Sequence, residues 1–147
     1  MRILIIHTAF IGDIVLSTPL VKKIKESYPG SFLAYVTTPA GAQILKNNPN
    51  IDEIIEYDKR GRHKGIRGIY DLGKRLRYEN FDVVITPHRY LRSSFLSWIS
   101  GASVRKGYDN AVGSFFFTEK IHYDKSKHEV ENLLSFVDCE EQTAEDM

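Results

Sequence analysis

The sequence predicts an α/β fold: an open, mainly parallel sheet with helices on both faces. Three observations carry this expectation. Ile3 to Ile6 is a short, β-branched apolar run, the composition of a strand buried on both sides. Comparable runs recur at Phe32 to Thr37, Ile51 to Tyr57 and Phe81 to Thr86. Between them lie stretches that read as helices, so strand and helix alternate as they do in βαβ units.

Taken in order, the first strand leads through a loop, His7 to Ile11, into Gly12-Asp13 and a helical pattern. Leu16, Leu20, Ile24 and Tyr28 fall at four-residue steps with Val21 on the same face, while Lys22, Lys23, Lys25 and Glu26 fall elsewhere. After the second strand, Thr38-Pro39 opens a short helix, proline being suited to a first turn. Asn47 to Asn50 reads as a turn, and Ile51 to Tyr57 as a shorter, more exposed strand near the sheet edge. Asp58 to Gly68 mixes glycine with cations and suggests a mobile basic loop, entering a helix at about Ile69 that runs to Tyr78. Pro87 stops the fourth strand, His88 to Ser94 form a loop, and Phe95 to Ser100 a helix. Gly101 to Tyr108 read as a turn and a short fifth strand, Phe115 to Phe117 as core or interface, and His122 as a surface strand residue. A last helix covers about Lys127 to Phe136, with Val130, Leu133, Leu134 and Val137 inward. Residues 1–137 thus form one domain, and the acidic stretch 138–147 reads as a frayed tail or the start of a linker.

Composition narrows the classes. At 147 residues one domain is expected, with a core large enough to bury roughly 70% of the unfolded surface. A net charge of +1 gives no global attraction to nucleic acid or membrane. Cys139 is the only cysteine, so no internal disulfide can form and a reducing, cytoplasmic setting is expected. The apolar run after Met1-Arg2 is too short for a signal-peptide core, and no stretch approaches a transmembrane helix.

Ligands of open parallel sheets bind at the carboxyl ends of strands, which puts Asp13 where chemistry would be done. Two roles fit it. An aspartate before a helix is a good N-cap, and a carboxylate at a strand mouth can also act on a ligand. Gly12 either permits a close approach that a side chain would block or is an ordinary loop glycine. One glycine is not Gly-x-Gly-x-x-Gly, and no Gly-Lys-Ser/Thr follows, so neither a dinucleotide fingerprint nor a P-loop is present. The basic segment, with Arg60, Arg62, Lys64 and Arg67, is either a solvated face or a site for an anionic partner. Nucleic acid fits it less well, since stacking aromatics are not interleaved. In a doubly wound order the fourth strand lies beside the first, bringing Arg89 and Arg92 within reach of Asp13. A guanidinium there would hold the carboxylate ionised; Arg92 could equally cap or cross-link loops. His128 either caps the last helix or faces the cleft. There is no Cys/His cluster for zinc and no Asp-x-Asp, so no metal ligands are expected.

The opening Met-Arg-Ile-Leu-Ile-Ile-x-x-x-x-Ile-Gly-Asp-Ile-Val-Leu-Ser-Thr-Pro resembles the start of the family 9 glycosyltransferases, the ADP-heptose:lipopolysaccharide heptosyltransferases. The basic loop Arg60 to Arg67, Tyr78-Glu-Asn-Phe-Asp-Val-Val-Ile, Arg92-Ser93-Ser94, the segment Ile99 to Tyr108 and His128-Glu-Val-Glu-Asn-Leu follow in the same order. The pattern is more like the type II enzymes than type I. The resemblance covers about residues 1 to 136 and implies a two-domain GT-B enzyme, of which this chain is the N-terminal, Rossmann-like, acceptor-binding half. A second domain would hold the ADP-heptose donor, so no cofactor is expected and the fragment alone would be inactive. The resemblance makes Asp13 the base for an inverting, metal-independent transfer to the inner core of lipopolysaccharide. It makes Arg92 the partner of that aspartate. Thr8, Gly12, Arg60, Arg62, Lys64, Arg67, Ser93 and His128 become substrate-binding residues, without nucleic acid as a partner. It also implies work in the cytoplasm, at the cytoplasmic face of the inner membrane, with peripheral membrane contact. Two alternatives stand beside it: a stand-alone flavodoxin-like module that binds an anionic ligand without catalysis, and a related glycosyltransferase with another acceptor.

Overall fold

A computed structural model describes the backbone of residues 1–58, 60–61 and 63–145, and side chains as far as Val137. Lys59, Arg62, and the side chains of the acidic stretch with Cys139 lie outside the described residues. Six strands form one parallel sheet: β1 (Arg2–Ile6), β2 (Phe32–Thr37), β3 (Glu53–Glu56), β4 (Val83–Thr86), β5 (Val104–Tyr108) and β6 (Glu119–Ile121). Their order is β3-β2-β1-β4-β5-β6, so the chain builds outward from β1 on one side, then returns to its other side. The expected neighbourhood of the fourth and first strands is formed, with Leu4 beside Val84 and Ile5 beside Ile85.

Alternation of side chains along a strand divides the core into two layers. Ile3, Ile5, Leu33 and Tyr35 face α2 (Thr18–Ser27) and α6 (Glu129–Glu145), meeting Leu20, Ile24, Leu133 and Phe136. Leu4, Ile6, Ala34 and Val84 face the opposite way, onto Ile69, Leu72 and Leu76 of α4 (Gly65–Tyr78) and Leu96 of α5 (Leu91–Ile99). The interior residues of β1, β2 and β4 are therefore buried on both faces, as their composition required.

Several boundaries differ from those read in the sequence. The first helical pattern is divided into α1 (Ile11–Leu16) and α2 at Ser17. Pro19 lacks the N–H that would continue the first helix, and its ring would press on the carbonyl one turn earlier. The side chains of Ser17 and Thr18 donate instead to the carbonyls of Ile14 and Val15. Helices α4 and α5 each begin four residues earlier than expected, which puts Arg67 and Arg92 in first turns. The strand expected at His122 ends one residue before it, and its Glu-Lys-Ile is held as strand by pairing with β5. Helix α6 runs past Val137 to Glu145, through residues that include the good helix formers Glu140, Glu141, Gln142 and Ala144. The remaining helix, α3 (Pro39–Leu45), is capped by Thr38, whose hydroxyl accepts from the Gly41 N–H at 3.1 Å.

Candidate functional site

A cleft of about 800 Å³ opens at the carboxyl ends of β1 to β4. The turn after β1 supplies Thr8, Phe10 and Ile11; the turn after β2 supplies Thr38 and Pro39. Tyr57, Asp58 and Arg60 follow β3, and His88, Tyr90, Leu91 and Arg92 follow β4. The volume lies in the range of small-molecule sites. Aromatic and aliphatic walls with two guanidiniums suit a ligand that combines sugar C–H faces with anionic groups.

The floor is polar and tightly held. The His88 Nδ1 lies 2.8 Å from the Ser93 hydroxyl and 3.5 Å from that of Thr8, which ties β4 to β1 and to α5. His7, only 3% exposed, lies with its ring centroid 5.7 Å from that of His88. Burial, and then the neighbouring His88, lowers the His7 pKa to about 3, so the ring is neutral at ordinary pH. Its Nδ1 has no hydrogen-bond partner among the described residues.

In the basic segment after β3, Asp58 and His63 are held to each other. The Asp58 N–H donates to His63 Nδ1 at 3.0 Å, the His63 N–H returns a bond to the Asp58 carbonyl at 2.8 Å, and the His63 ring stacks on Tyr57. Gly68 admits the His63 backbone where a Cβ would collide with it. Arg60 faces the cleft, Lys64 precedes α4 as its N-cap residue and Arg67 is exposed on that helix.

Asp13 sits in the first turn of α1, half-buried, where the helix dipole favours its charge. It does not cap the helix: the N-cap position is Phe10, three residues earlier, and carries no side-chain cap. No hydrogen bond or ion pair to Asp13 is formed among the described residues, so the expected Asp13–Arg92 pair is absent. Arg92 stands on the cleft wall instead, where its charge bears on the Tyr57 hydroxyl. The guanidinium on the Asp13 side belongs to Arg89, whose Cζ lies 4.9 Å from the centre of the Tyr123 ring. The Tyr123 hydroxyl donates to Glu129 at 2.8 Å. That bond, followed by burial and the charges of Glu129 and Asp13, pushes its pKa up, while Arg89 acts the other way. Gly12 has no positive φ, and nothing lies within 4 Å of the place a Cβ would take. His128 caps α6, its Nδ1 accepting from the Val130 N–H at 3.2 Å.

The model of glycosyltransferase family 9 (heptosyltransferase) matches residues 69–140. A family 9 glycosyltransferase from Veillonella parvula superposes on 94% of the chain with a TM-score of 0.87 and 30% identity, using 41% of its own length. Residues 69–140 are those of a family 9 glycosyltransferase. The chain is also 25% identical over 138 residues to the lipopolysaccharide core heptosyltransferase OpsX of Haemophilus influenzae, covering 91% of the chain and 39% of that protein. The fold matches that of E. coli heptosyltransferase WaaC with ADP-2-deoxy-2-fluoro heptose, at a TM-score of 0.79 and 23% identity, over 94% of this chain and 48% of that one. The chain thus spans less than half the length of the proteins it matches.

Of the residues singled out in the sequence, Thr8, Arg60 and Arg92 line one cleft, with Ser93 behind it through His88. Lys64, Arg67, Asp13 and His128 are not among its lining residues, and Arg62 is outside the described residues. His7, His88 and Tyr57 were not singled out as site residues, whereas Arg89 was placed within reach of Asp13 together with Arg92. For the two histidines a signal existed: each follows directly on a strand end or its proline, and adjacency of the two strands sets them side by side.

Proposed function

We propose that this chain is the acceptor-binding half of an inverting, metal-independent glycosyltransferase that moves a heptose from ADP-heptose to the inner core of lipopolysaccharide. The observation that carries the reading is the cleft at the head of β1 and β4, apolar and aromatic on its walls with Arg60 and Arg92 on its rim. The OpsX relative, named as a lipopolysaccharide core heptosyltransferase, and the WaaC structure with an ADP-heptose analogue support the acceptor and the donor class.

In this reading Arg60 and Arg92 bind phosphate or carboxylate groups of the acceptor, and the aromatic walls take its sugar faces. Asp13 removes the proton from the acceptor hydroxyl as that oxygen attacks the anomeric carbon; the bond to ADP breaks on the opposite side and ADP leaves. With no hydrogen bond or ion pair to the described residues, the Asp13 carboxylate keeps its lone pairs for that proton. The donor is held by a second domain, and the work is done in the cytoplasm at the inner face of the membrane that carries the acceptor.

The test uses the chain joined to a family 9 nucleotide-binding half. Labelled heptose is followed from ADP-heptose to a heptose-deficient core acceptor. Asp13→Asn is expected to lower turnover by about 10²–10⁴-fold with acceptor affinity retained. Undiminished transfer would remove Asp13 as the base. Acceptor binding without transfer by the wild-type pair would favour a binding module.

A further inference from the structure

The carboxyl ends of β4, β5 and β6 bring together a second set of polar residues, distinct from the cleft lining. His88 and Tyr90 line the cleft, whereas Arg89 between them lies over Tyr123, its Cζ 4.9 Å from the ring centre. Tyr123 follows β6, and its hydroxyl donates to Glu129 Oε2 at 2.8 Å, in the first turn of α6. Tyr108, at the end of β5, sets its ring edge-on to that of Tyr123 with centroids 5.0 Å apart. Asp13 is near enough for its charge to bear on the Tyr123 hydroxyl, together with those of Glu129 and Arg89.

The frame behind these side chains is well tied. The Arg89 carbonyl accepts from the Val112 N–H at 2.9 Å. The Tyr123 N–H donates to Asp109 Oδ1 at 3.1 Å, and Asp109 Oδ2 lies 2.8 Å from His122 Nδ1. The backbone of Asp124 exchanges two hydrogen bonds with the buried side-chain amide of Asn132 on α6.

Donors outnumber acceptors in this group. The Glu129 carboxylate is taken by the Tyr123 phenol and forms no ion pair with Arg89 among the described residues. Arg89 is exposed, and its side chain makes no hydrogen bond among them. The Tyr123 ring covers one face of the guanidinium and leaves the in-plane N–H donors to be met from the side. Next to it the buried Tyr108 hydroxyl also lacks a partner among the described residues. Burial, and then the charge of Glu129, pushes the Tyr108 pKa up, so this phenol keeps its proton and stays a donor.

A planar guanidinium with uncommitted donors matches the edge of a phosphate bidentately. We propose that Arg89, seated on Tyr123, is an oxyanion subsite on the β5–β6 side of Asp13, taking a phosphate or diphosphate group of a substrate. Arg60 and Arg92 belong to the cleft and Arg89 does not, so the two cationic sites hold different groups. In an in-line transfer the attacking oxygen and the leaving group lie on opposite sides of the anomeric carbon. An acceptor in the cleft therefore leaves the diphosphate to the other side, where a cation offsets the charge it gains as the bond breaks. That the group is the donor's diphosphate rests on the proposed transfer from ADP-heptose; the subsite itself does not.

Inorganic pyrophosphate is the probe for the chain itself, with Arg60→Gln and Arg92→Gln in the background so that the cleft cannot answer for it. The Arg89 Nε–Hε resonance, assigned by its loss in Arg89→Lys, should shift saturably. Calorimetric affinity should fall about tenfold in Arg89→Gln and rise about threefold in Glu129→Gln, which removes an opposing charge. Tyr123→Phe should lower it, because Glu129, released by the phenol, becomes available to Arg89. An unmoved Arg89 resonance, or affinity indifferent to Arg89→Gln and Glu129→Gln, overturns the proposal. In the chain joined to a family 9 nucleotide-binding half, ADP inhibition weakened about tenfold by Arg89→Gln, at unchanged acceptor KM, assigns the subsite to the donor. A raised KM for a phosphorylated acceptor and not for its dephosphorylated form, with ADP inhibition unchanged, assigns it to the acceptor. Transfer and both constants unaffected by Arg89→Gln would remove the subsite and leave the transfer reading standing. Pyrophosphate bound at Arg89 without heptose transfer by the joined wild type would do the reverse.

Discussion

The buried histidine at the end of β1 makes the stability of the chain depend on pH in a defined way. In the folded protein His7 stays neutral down to about pH 3, because burial and the neighbouring His88 ring oppose its charge. Unfolded, the same ring takes up a proton below its ordinary pKa of 6.5. Below that pH the unfolded state binds more protons, so this contribution is complete above pH 6.5 and is lost progressively as the pH falls toward about 3. Between pH 7 and pH 5 the loss amounts to about 2 kcal/mol, from a slope of about 1.4 kcal/mol per pH unit. Urea unfolding at pH 5, 6 and 7 would measure it, with His7→Phe as the reference that removes the titrating group and keeps an aromatic ring. The wild type should lose about 2 kcal/mol more than the variant over that interval. Parallel pH dependence of the two proteins, or a His7 imidazole resonance titrating near 6.5, would refute the reasoning.

Two further outcomes concern the proposed chemistry. Gly12→Ala places a methyl in open space on helical backbone, so the melting temperature should rise by about 1–2 °C, while acceptor binding falls if substrate passes close to that turn. A lower melting temperature would show that the turn is not helical. Arg92→Gln and Arg89→Gln should separate: the first raises KM for an anionic acceptor about 10–100-fold, the second lowers kcat through the Tyr123 side of Asp13. Steady-state kinetics of the two variants decide it, and interchanged effects would restore Arg92 as the partner of Asp13.

The sheet was legible because its central strands are buried on both faces, and four-residue runs such as Ile3 to Ile6 have few alternatives. Adjacency of β1 and β4 followed from topology and placed the cleft. Local rules failed where tertiary contacts decide. The edge strand Glu119–Ile121 is held by its partner β5 and ends one residue before His122, where a strand was expected. Apolar spacing from Leu16 to Tyr28 ran across the Ser17 break because the same face stays buried on both sides of it. A cap was one of the two roles read for Asp13 because the helix was taken to begin there, whereas it begins at Ile11 behind a phenylalanine. The pairing with Arg92 assumed that neighbouring loops bring their side chains together, yet α5 starts early and Arg92 lines the cleft, which Asp13 does not.

The break at Ser17 has one more effect. Its hydroxyl donates to the Ile14 carbonyl and lies 2.7 Å from the phenol of Tyr35, a residue wholly inside the sheet layer. The corner between α1 and α2 is thereby pinned to the second strand, and the aim of a carboxylate one turn away is governed from within. Removing a single oxygen by Tyr35→Phe, far from any ligand, would let that short helix rock and blur the direction in which Asp13 points.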